Sequence, residues 1–169
     1  MMPLNKHIKW ALRIGLLVLS ACNHKQREQG EEEKMNLSSV KIINLDGTSF
    51  NWEPYRNKTV FINFWATWCK PCIREMPSIK KAMEILKGED ISFLFATNED
   101  EEMVTEFNKQ YQFDFHYVNV VNLEELDITA LPTTLIFGRN GKLRLSEIGY
   151  RPWDTKENLD QLRKIINQQ

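Results

Sequence analysis

Histidine and cysteine are both scarce in this sequence, three of each in 169 residues. A zinc site wants four ligands, and beyond one close pair of cysteines the main domain has no second Cys/His cluster to complete one. A haem-attachment motif is excluded as well: Ile73 follows Cys72, so no Cys-x-x-Cys-His occurs. The N-terminal segment has no membrane-length apolar run. Ile14 to Ala21 is eight residues, well short of the roughly 20 that a span requires. Neither sign of charge dominates, and a formal net charge of −1 gives no reason to expect nucleic acid or an anionic membrane surface as a partner. What is left, 42% hydrophobic and 11% aromatic, is ordinary globular material. The length suits one domain with a substantial core plus its ends.

The feature around which the chain is organised is the run Phe61-Ile62-Asn63-Phe64-Trp65-Ala66-Thr67-Trp68-Cys69-Lys70-Pro71-Cys72. An apolar, strand-forming stretch ends at Trp68 and a helical pattern begins within the next four residues. Two cysteines three apart in a first helical turn share one face, with Cα atoms about 5–6 Å apart, as a disulfide requires. The N–H groups at a helix start favour thiolate over thiol, and Pro71 costs nothing where those groups lack intrahelical acceptors. The pattern predicts a reversible dithiol/disulfide pair. Cys69, nearer the helix start and solvent, is the expected nucleophile; Cys72, more buried, is the expected resolving thiol. Lys70 adds positive charge beside them.

The third cysteine belongs to a different signal. Lys6, Lys9 and Arg13 precede the short apolar run, the pattern of a secretory signal. Leu19-Ser20-Ala21-Cys22 resembles the bacterial lipobox, in which cleavage leaves a lipid-bearing cysteine as the new N-terminus. The expected organisation is a signal peptide at 1–21, a polar tether at 22–37 containing Glu31-Glu32-Glu33, and a domain at 38–169. This implies an extracytoplasmic protein held to a membrane by lipid at Cys22.

Within the domain, Val40–Leu45 and Ser49–Trp52 flank Asp46-Gly47 and predict a hairpin at one edge of the fold. Lys58–Ala66 predicts a buried strand. Met76, Ile79, Ala82, Met83 and Leu86 recur at helical spacing up to Gly88, with Pro77 expected to kink the helix. The methionines are read as core filler. Ile91–Ala96 predicts a second central strand. Glu99–Gln110 predicts a helix with Met103, Val104 and Phe107 inward, its acidic start (Glu99 through Glu102) suiting a helix N-terminus. Phe113–Val121 predicts a third strand and Leu123–Leu126 a helical turn. Leu131–Phe137 and Lys142–Ile148 form a hairpin through Asn140-Gly141, and an amphipathic helix from Asn158 to Ile166 closes the chain. His116 reads as a structural or surface residue. The sum is a mixed α/β sandwich.

Phe64-Trp65-Ala66-Thr67-Trp68-Cys69-Lys70-Pro71-Cys72 resembles the active-site segment of the thioredoxin superfamily. Arg74-Glu75-Met76-Pro77, Leu131-Pro132-Thr133-Thr134 and the added strand–helix region between Ile91 and Val121 are similar to its extracytoplasmic TlpA/ResA-type branch. The resemblance spans about residues 38–168. It implies an α/β, thioredoxin-like fold: a mixed central sheet flanked by helices, with an N-terminal hairpin and an inserted strand–helix region. It implies a cis Leu131–Pro132 peptide facing the dithiol, with the backbone before Pro132 adding to substrate as a strand. Trp68, Leu131 and Pro132 would then bind substrate, Trp68 also covering the dithiol, with Trp65 a possible support beneath it. Where many relatives carry a buried aspartate this chain has Asn63, which does not titrate. Glu75 matches the branch's active-site glutamate, which would tune Cys72 or relay its proton; the bland reading is a surface carboxylate near a helix start.

The implied activity is thiol–disulfide exchange with cysteine-containing envelope proteins, without a cofactor. The resemblance favours reduction, of the cytochrome c maturation type or of envelope thiols in general. A membrane electron carrier would recharge a monomeric enzyme. Two other readings stay open: Cu(I) held by the two sulfurs, or a thiol peroxidase. A non-catalytic interaction domain is the remaining class.

Overall fold

The computed structural model describes residues 35–168. The signal segment, Cys22 and Glu31–Glu33 lie outside the described residues. The compact unit that holds the rest runs from Asn36 to Gln169.

The strands are β1 (Ile42–Asn44), β2 (Thr59–Phe64), β3 (Ile91–Thr97), β4 (Tyr117–Val120), β5 (Thr133–Phe137) and β6 (Leu143–Ile148). The helices are α1 (Lys70–Ile85), α2 (Glu101–Tyr111) and α3 (Lys156–Ile166). All six strands form one sheet in the order β1-β4-β3-β2-β5-β6. β2 lies parallel to β3 and antiparallel to β5, and β3 lies parallel to β4. Every residue of β2 is buried, the polar Thr59 and Asn63 included, as expected of a mostly apolar strand covered on both faces. Its C-terminal end delivers the chain directly into α1. Register pairs Phe64 with Thr133, so the start of β5 lies at that same end of the sheet.

α1 begins at Lys70 and continues across Pro77. Cys72, Glu75, Met76, Ile79 and Ala82 form its buried face, the spacing expected of a helix with one side on a sheet. Phe61, Trp65, Phe95, Trp153 and Leu162 complete the core against it. α3 is capped by the Thr155 side chain and buries Leu159, Leu162, Ile165 and Ile166. The Leu123–Leu126 helical turn and the β5–β6 hairpin stand where the sequence placed them. Among the described residues no helix is long and apolar enough to cross a membrane.

Three expectations are corrected. The Asp46-Gly47 turn forms, with Gly47 at φ +79° and its N–H donating to the Asn44 carbonyl. No second hairpin strand follows, however: one bridge, Ile43 to Ser49, is the whole ladder. β1 pairs with β4 instead, at the sheet edge. Phe50 turns to aromatic neighbours, with ring centroids 4.9 Å from Trp52, 5.2 Å from Tyr55 and 5.7 Å from His116. Burying these rings outweighs extending a two-stranded ladder at an edge. The third strand is also shorter than expected, because Phe113 and Phe115 leave the ladder and stack, Phe115 lying against Phe95 at 3.8 Å. Met103 does not face the core: it is exposed, beside an open groove with Thr67, Phe107 and Tyr111, while Val104 and Phe107 are buried as expected.

Phe61 is fully buried and packs edge-on against Trp153 at 4.8 Å. Phe61→Ala is expected to cost about 3–5 kcal/mol through lost burial plus the cavity left behind. Urea unfolding checks this: the midpoint falls while the slope stays that of the native protein.

Candidate active site

The last residues of β2 and the first of α1 build the centre of the site. Cys69 is the N-cap of α1, with extended backbone (φ −80°, ψ 92°), and its Sγ accepts the Cys72 N–H at 3.3 Å. The two cysteines are joined as a disulfide with a Cα–Cα separation of 5.3 Å, within the separation their spacing predicted. Cys69 retains 3% exposure and Cys72 none, so the order expected from the sequence holds although both are buried. The sulfur nearest solvent is thus the one aimed at the helix N-terminus. That arrangement suits a thiolate once the disulfide is reduced.

One helical turn further on, Glu75 is fully buried on the same face of α1 as Cys72. It is not the surface carboxylate of the bland reading. Three donors converge on it from three elements. Trp153 Nε1–H donates to Oε1 at 2.8 Å and the Arg151 backbone N–H to the same oxygen at 3.0 Å. Asn63 Nδ2–H, from β2, donates to Oε2 at 3.1 Å. No guanidinium or ammonium among the described ion pairs reaches it; Arg151 pairs through its side chain with Glu147 instead. Burial therefore dominates and pushes the Glu75 carboxyl up to about 7; the three donors pull it down in part, and the charge of Glu147 adds a smaller upward push. A carboxyl in this state exchanges protons near neutrality.

Asn63 occupies its place because register sets it opposite Thr134, whose Oγ1 accepts from the same Nδ2 at 2.9 Å. Its own Oδ1 has no hydrogen-bond partner among the described residues. The Leu131–Pro132 peptide is cis. Pro132 is buried and Leu131 half-buried, at the sheet end that carries the cysteines, and the Gly149 N–H donates to the Pro132 carbonyl at 2.8 Å. Lys70 is exposed in the first turn of α1. Trp68, one residue before Cys69, leaves 70% of its surface open to solvent. Trp65 is the buried one, packed on Phe107 at 4.8 Å and Tyr117 at 5.3 Å. His116 is exposed and its Nδ1 meets the Tyr55 hydroxyl at 2.7 Å.

Two residues near this site were not singled out from the sequence. Trp153 lies in the loop before α3, and its signal was available: a large ring in a short polar stretch must find both a core and a partner for its N–H. Glu99 was absorbed into the acidic start of α2, yet α2 begins at Glu101 with Asp100 as its cap. Glu99 is buried and bonds to Thr67, two residues before Cys69. Nothing local marks it out from Glu101 and Glu102.

The profile of the Redoxin family matches residues 31–162. A thiol-disulfide oxidoreductase ResA from Bacillus cereus (strain ATCC 10987 / NRS 248) is 29% identical over 163 residues, covering 89% of this chain and 92% of the relative. A ResA from Geobacillus thermodenitrificans (strain NG80-2) is 32% identical over 125 residues, covering 71% and 70%. Among solved structures, a Chlorobium tepidum protein assigned as the thiol:disulfide interchange protein DsbE aligns with a TM-score of 0.67, at 19% identity, over 76% of this chain and 94% of that one. At that identity the likeness speaks for the fold, which is thioredoxin-like.

The Glu75 environment has a consequence for stability. A folded-state value near 7 lies above the 4.5 of an unperturbed glutamate. Between the two, the folded protein holds a proton that the unfolded chain has released. Stability of the oxidised protein is therefore expected to fall as pH rises from about 4.5 to 7 and to level off above, by roughly 3 kcal/mol in all. Glu75→Gln should lack this component, which denaturant titrations of both proteins across that range will read.

Proposed function

The chain belongs to the Redoxin family and is a thiol-disulfide oxidoreductase of the ResA type, and from that premise we propose that Cys69 and Cys72 are its redox pair, acting as a reductant of disulfides in cell-envelope proteins. The observation that carries this reading is a Cys-x-Pro-Cys disulfide at a helix N-terminus with a buried glutamate one turn away that takes part in no ion pair among the described residues.

In the reduced protein, the Cys69 thiolate attacks one sulfur of a substrate disulfide. A mixed disulfide forms and the first substrate thiolate leaves. Cys72 then gives its proton to the Glu75 carboxylate, and its sulfur attacks Cys69 Sγ. The Cys69–Cys72 bond closes and the second substrate sulfur departs as thiolate, to be protonated from solvent or by Glu75. Two electrons have passed from the protein dithiol to the substrate. Restoring the dithiol takes two electrons from a donor, assigned here to a membrane electron carrier. Asn63 supports the role of Glu75 by elimination: an amide at that position competes for no proton, so the carboxyl on the buried face of the helix carries the traffic alone. Trp68, exposed beside Cys69, together with Leu131 and Pro132, is assigned to substrate contact, and Lys70 to tuning of the thiolate.

The reductase direction rests on the resemblance to the ResA-type branch, with disulfides of apocytochrome c or other envelope proteins as substrates. The organisation we propose is a cleaved signal at 1–21, a lipid on Cys22 and a polar tether to residue 37, which would hold the 38–169 domain at a membrane outside the cytoplasm.

Two experiments test the mechanism. Reduced Cys72→Ser is expected to trap a mixed disulfide with an insulin chain or an envelope protein, and Cys69→Ser to trap none; trapping through residue 72 alone reverses the assignment. In the native protein, resolution of a preformed mixed disulfide should accelerate as pH rises through about 7, as Glu75 becomes the carboxylate that accepts the proton. Glu75→Gln should lose that inflection and slow resolution by roughly 10²-fold, which rapid-quench kinetics will show; a variant with the native profile removes Glu75 from the proton path.

A further inference from the structure

Glu99 stands at the end of β3, on the other side of the turn from Glu75. Its carboxylate is buried at 8% exposure and takes part in no ion pair among the described residues. Its hydrogen bonds run to the turn that carries the cysteines. The Thr67 backbone N–H donates to Oε2 at 2.7 Å and the Thr67 hydroxyl to Oε1 at 2.7 Å, so the two oxygens grip one residue from two directions. The Thr97 hydroxyl donates more weakly to Oε2 at 3.3 Å. Glu99 is itself held: its N–H donates to Thr97 Oγ1 at 3.3 Å and its carbonyl accepts from Asn119 Nδ2 at 2.8 Å. The anchor is thus seated on β3 and β4 and reaches across to the segment leaving β2.

That segment needs an anchor. Trp65 N–H still bonds to the Ala96 carbonyl on β3, and Cys69 N–H closes a turn onto the Ala66 carbonyl. Ala66 and Cys69 are buried in the core and Trp68 projects into solvent; at Thr67, Glu99 supplies the side-chain hydrogen bonds that tie the turn to β3. The direction in which residues 66–69 leave the sheet decides whether Cys69 caps α1 with its sulfur on the helix N-terminus.

We propose that Glu99 is a positioning residue for the redox pair: by clamping Thr67 through both its N–H and its hydroxyl, it holds Cys69 in the N-cap position where the helix stabilises a thiolate. The proposal rests on the redox role assigned above to Cys69. Charged hydrogen bonds of this length are the stronger kind, and a buried carboxylate that satisfies two donors on one residue fixes orientation as well as distance.

Charge and geometry predict opposite signs here, which makes the clamp testable. As a bare negative charge near Cys69, Glu99 would oppose the thiolate, and removing it would lower the thiol's titration point in any neutral variant. As a clamp it supports the thiolate, and only variants that release Thr67 should raise it. The measurement is the pH profile of iodoacetamide labelling of Cys69 in the reduced protein, together with the reduction potential against glutathione. Thermal unfolding of each variant serves as a control for the fold. Glu99→Ala is expected to move the labelling profile to higher pH, with labelling at pH 6.5 down at least tenfold, and to make the potential more negative, since the reduced form loses stabilisation.

Glu99→Gln retains an acceptor for the Thr67 N–H and offers a donor to the Thr67 oxygen, so it should recover labelling to within about threefold of the native protein. Thr67→Val, which keeps the N–H bond and removes the hydroxyl one, should shift the profile in the same direction as Glu99→Ala but less; it serves as the test should Glu99→Ala fail to fold. Native profiles in folded Glu99→Ala or in Thr67→Val overturn the clamp, and so does a shift to lower pH in both Glu99 variants. If the native protein itself shows no low-pH labelling of Cys69, it is the redox assignment that fails, not the clamp.

Discussion

Taking a carboxyl group out of water with no cation beside it is the constraint on which the rest of this site depends. Glu75 meets that condition with donors from a strand, a loop backbone and an indole, none of them charged. Each donor has a cause elsewhere in the chain. The β2–β5 register sets Asn63 against Thr134 and aims its amide at Glu75. The 149–153 loop is fastened by the Arg151 side chain, whose Nε–H donates to Asn158 on α3 at 2.8 Å and whose other nitrogens reach Glu147 and Gln161. Trp153 is seated in the core against Phe61. Sheet, loop and final helix thus converge on a single oxygen pair, and dipoles rather than an opposite charge leave the proton mobile near neutrality.

Two buried carboxylates bond near the redox turn, each to a different set of partners. Glu75 lies on the helix face that holds Cys72, where the proposed mechanism needs a proton to leave before that sulfur attacks. Glu99 lies on the sheet side of the turn, bonded to Thr67, with its neighbours on β3 and β4 holding it in place. The first is suited to exchanging protons; the second is suited to holding a shape. The asymmetry between the cysteines follows from the same geometry. Both sulfurs are buried; Cys69, with 3% exposure, caps the helix, and Cys72, with none, lies on its buried face.

What was legible in the sequence was what local chemistry decides. The cysteine spacing after a buried strand, Pro71 in the first turn, the mostly apolar β2 and the Asn140-Gly141 turn all carry their structure in adjacent residues. The cis bond at Pro132 and the importance of Glu75 came from the resemblance and not from periodicity. Features set by distant partners were not legible. The Asp46-Gly47 turn was read correctly, but the strand expected after it lost to an aromatic cluster completed by His116, 66 positions after Phe50. Met103 has the right hydrophobicity for the core and faces a groove because α2 meets the fold through Val104 and Phe107. Glu99 sits in a run of acids that differ only in what lies across from them, and that is settled when β3 docks beside β2. The exposure of Trp68, 70% of it in solvent, depends on the path of the turn and not on the residues beside it.

The most direct test of this account is the titration of the Glu75 carboxyl itself. With glutamate labelled at its side-chain carboxyl carbon, NMR of the oxidised protein across pH 3–9 should show one resonance with a midpoint near 7, set apart from the rest and missing in Glu75→Gln. If every glutamate carboxyl in the folded protein instead titrates between about pH 4 and 5, the buried, proton-exchanging carboxyl at the centre of this account does not exist.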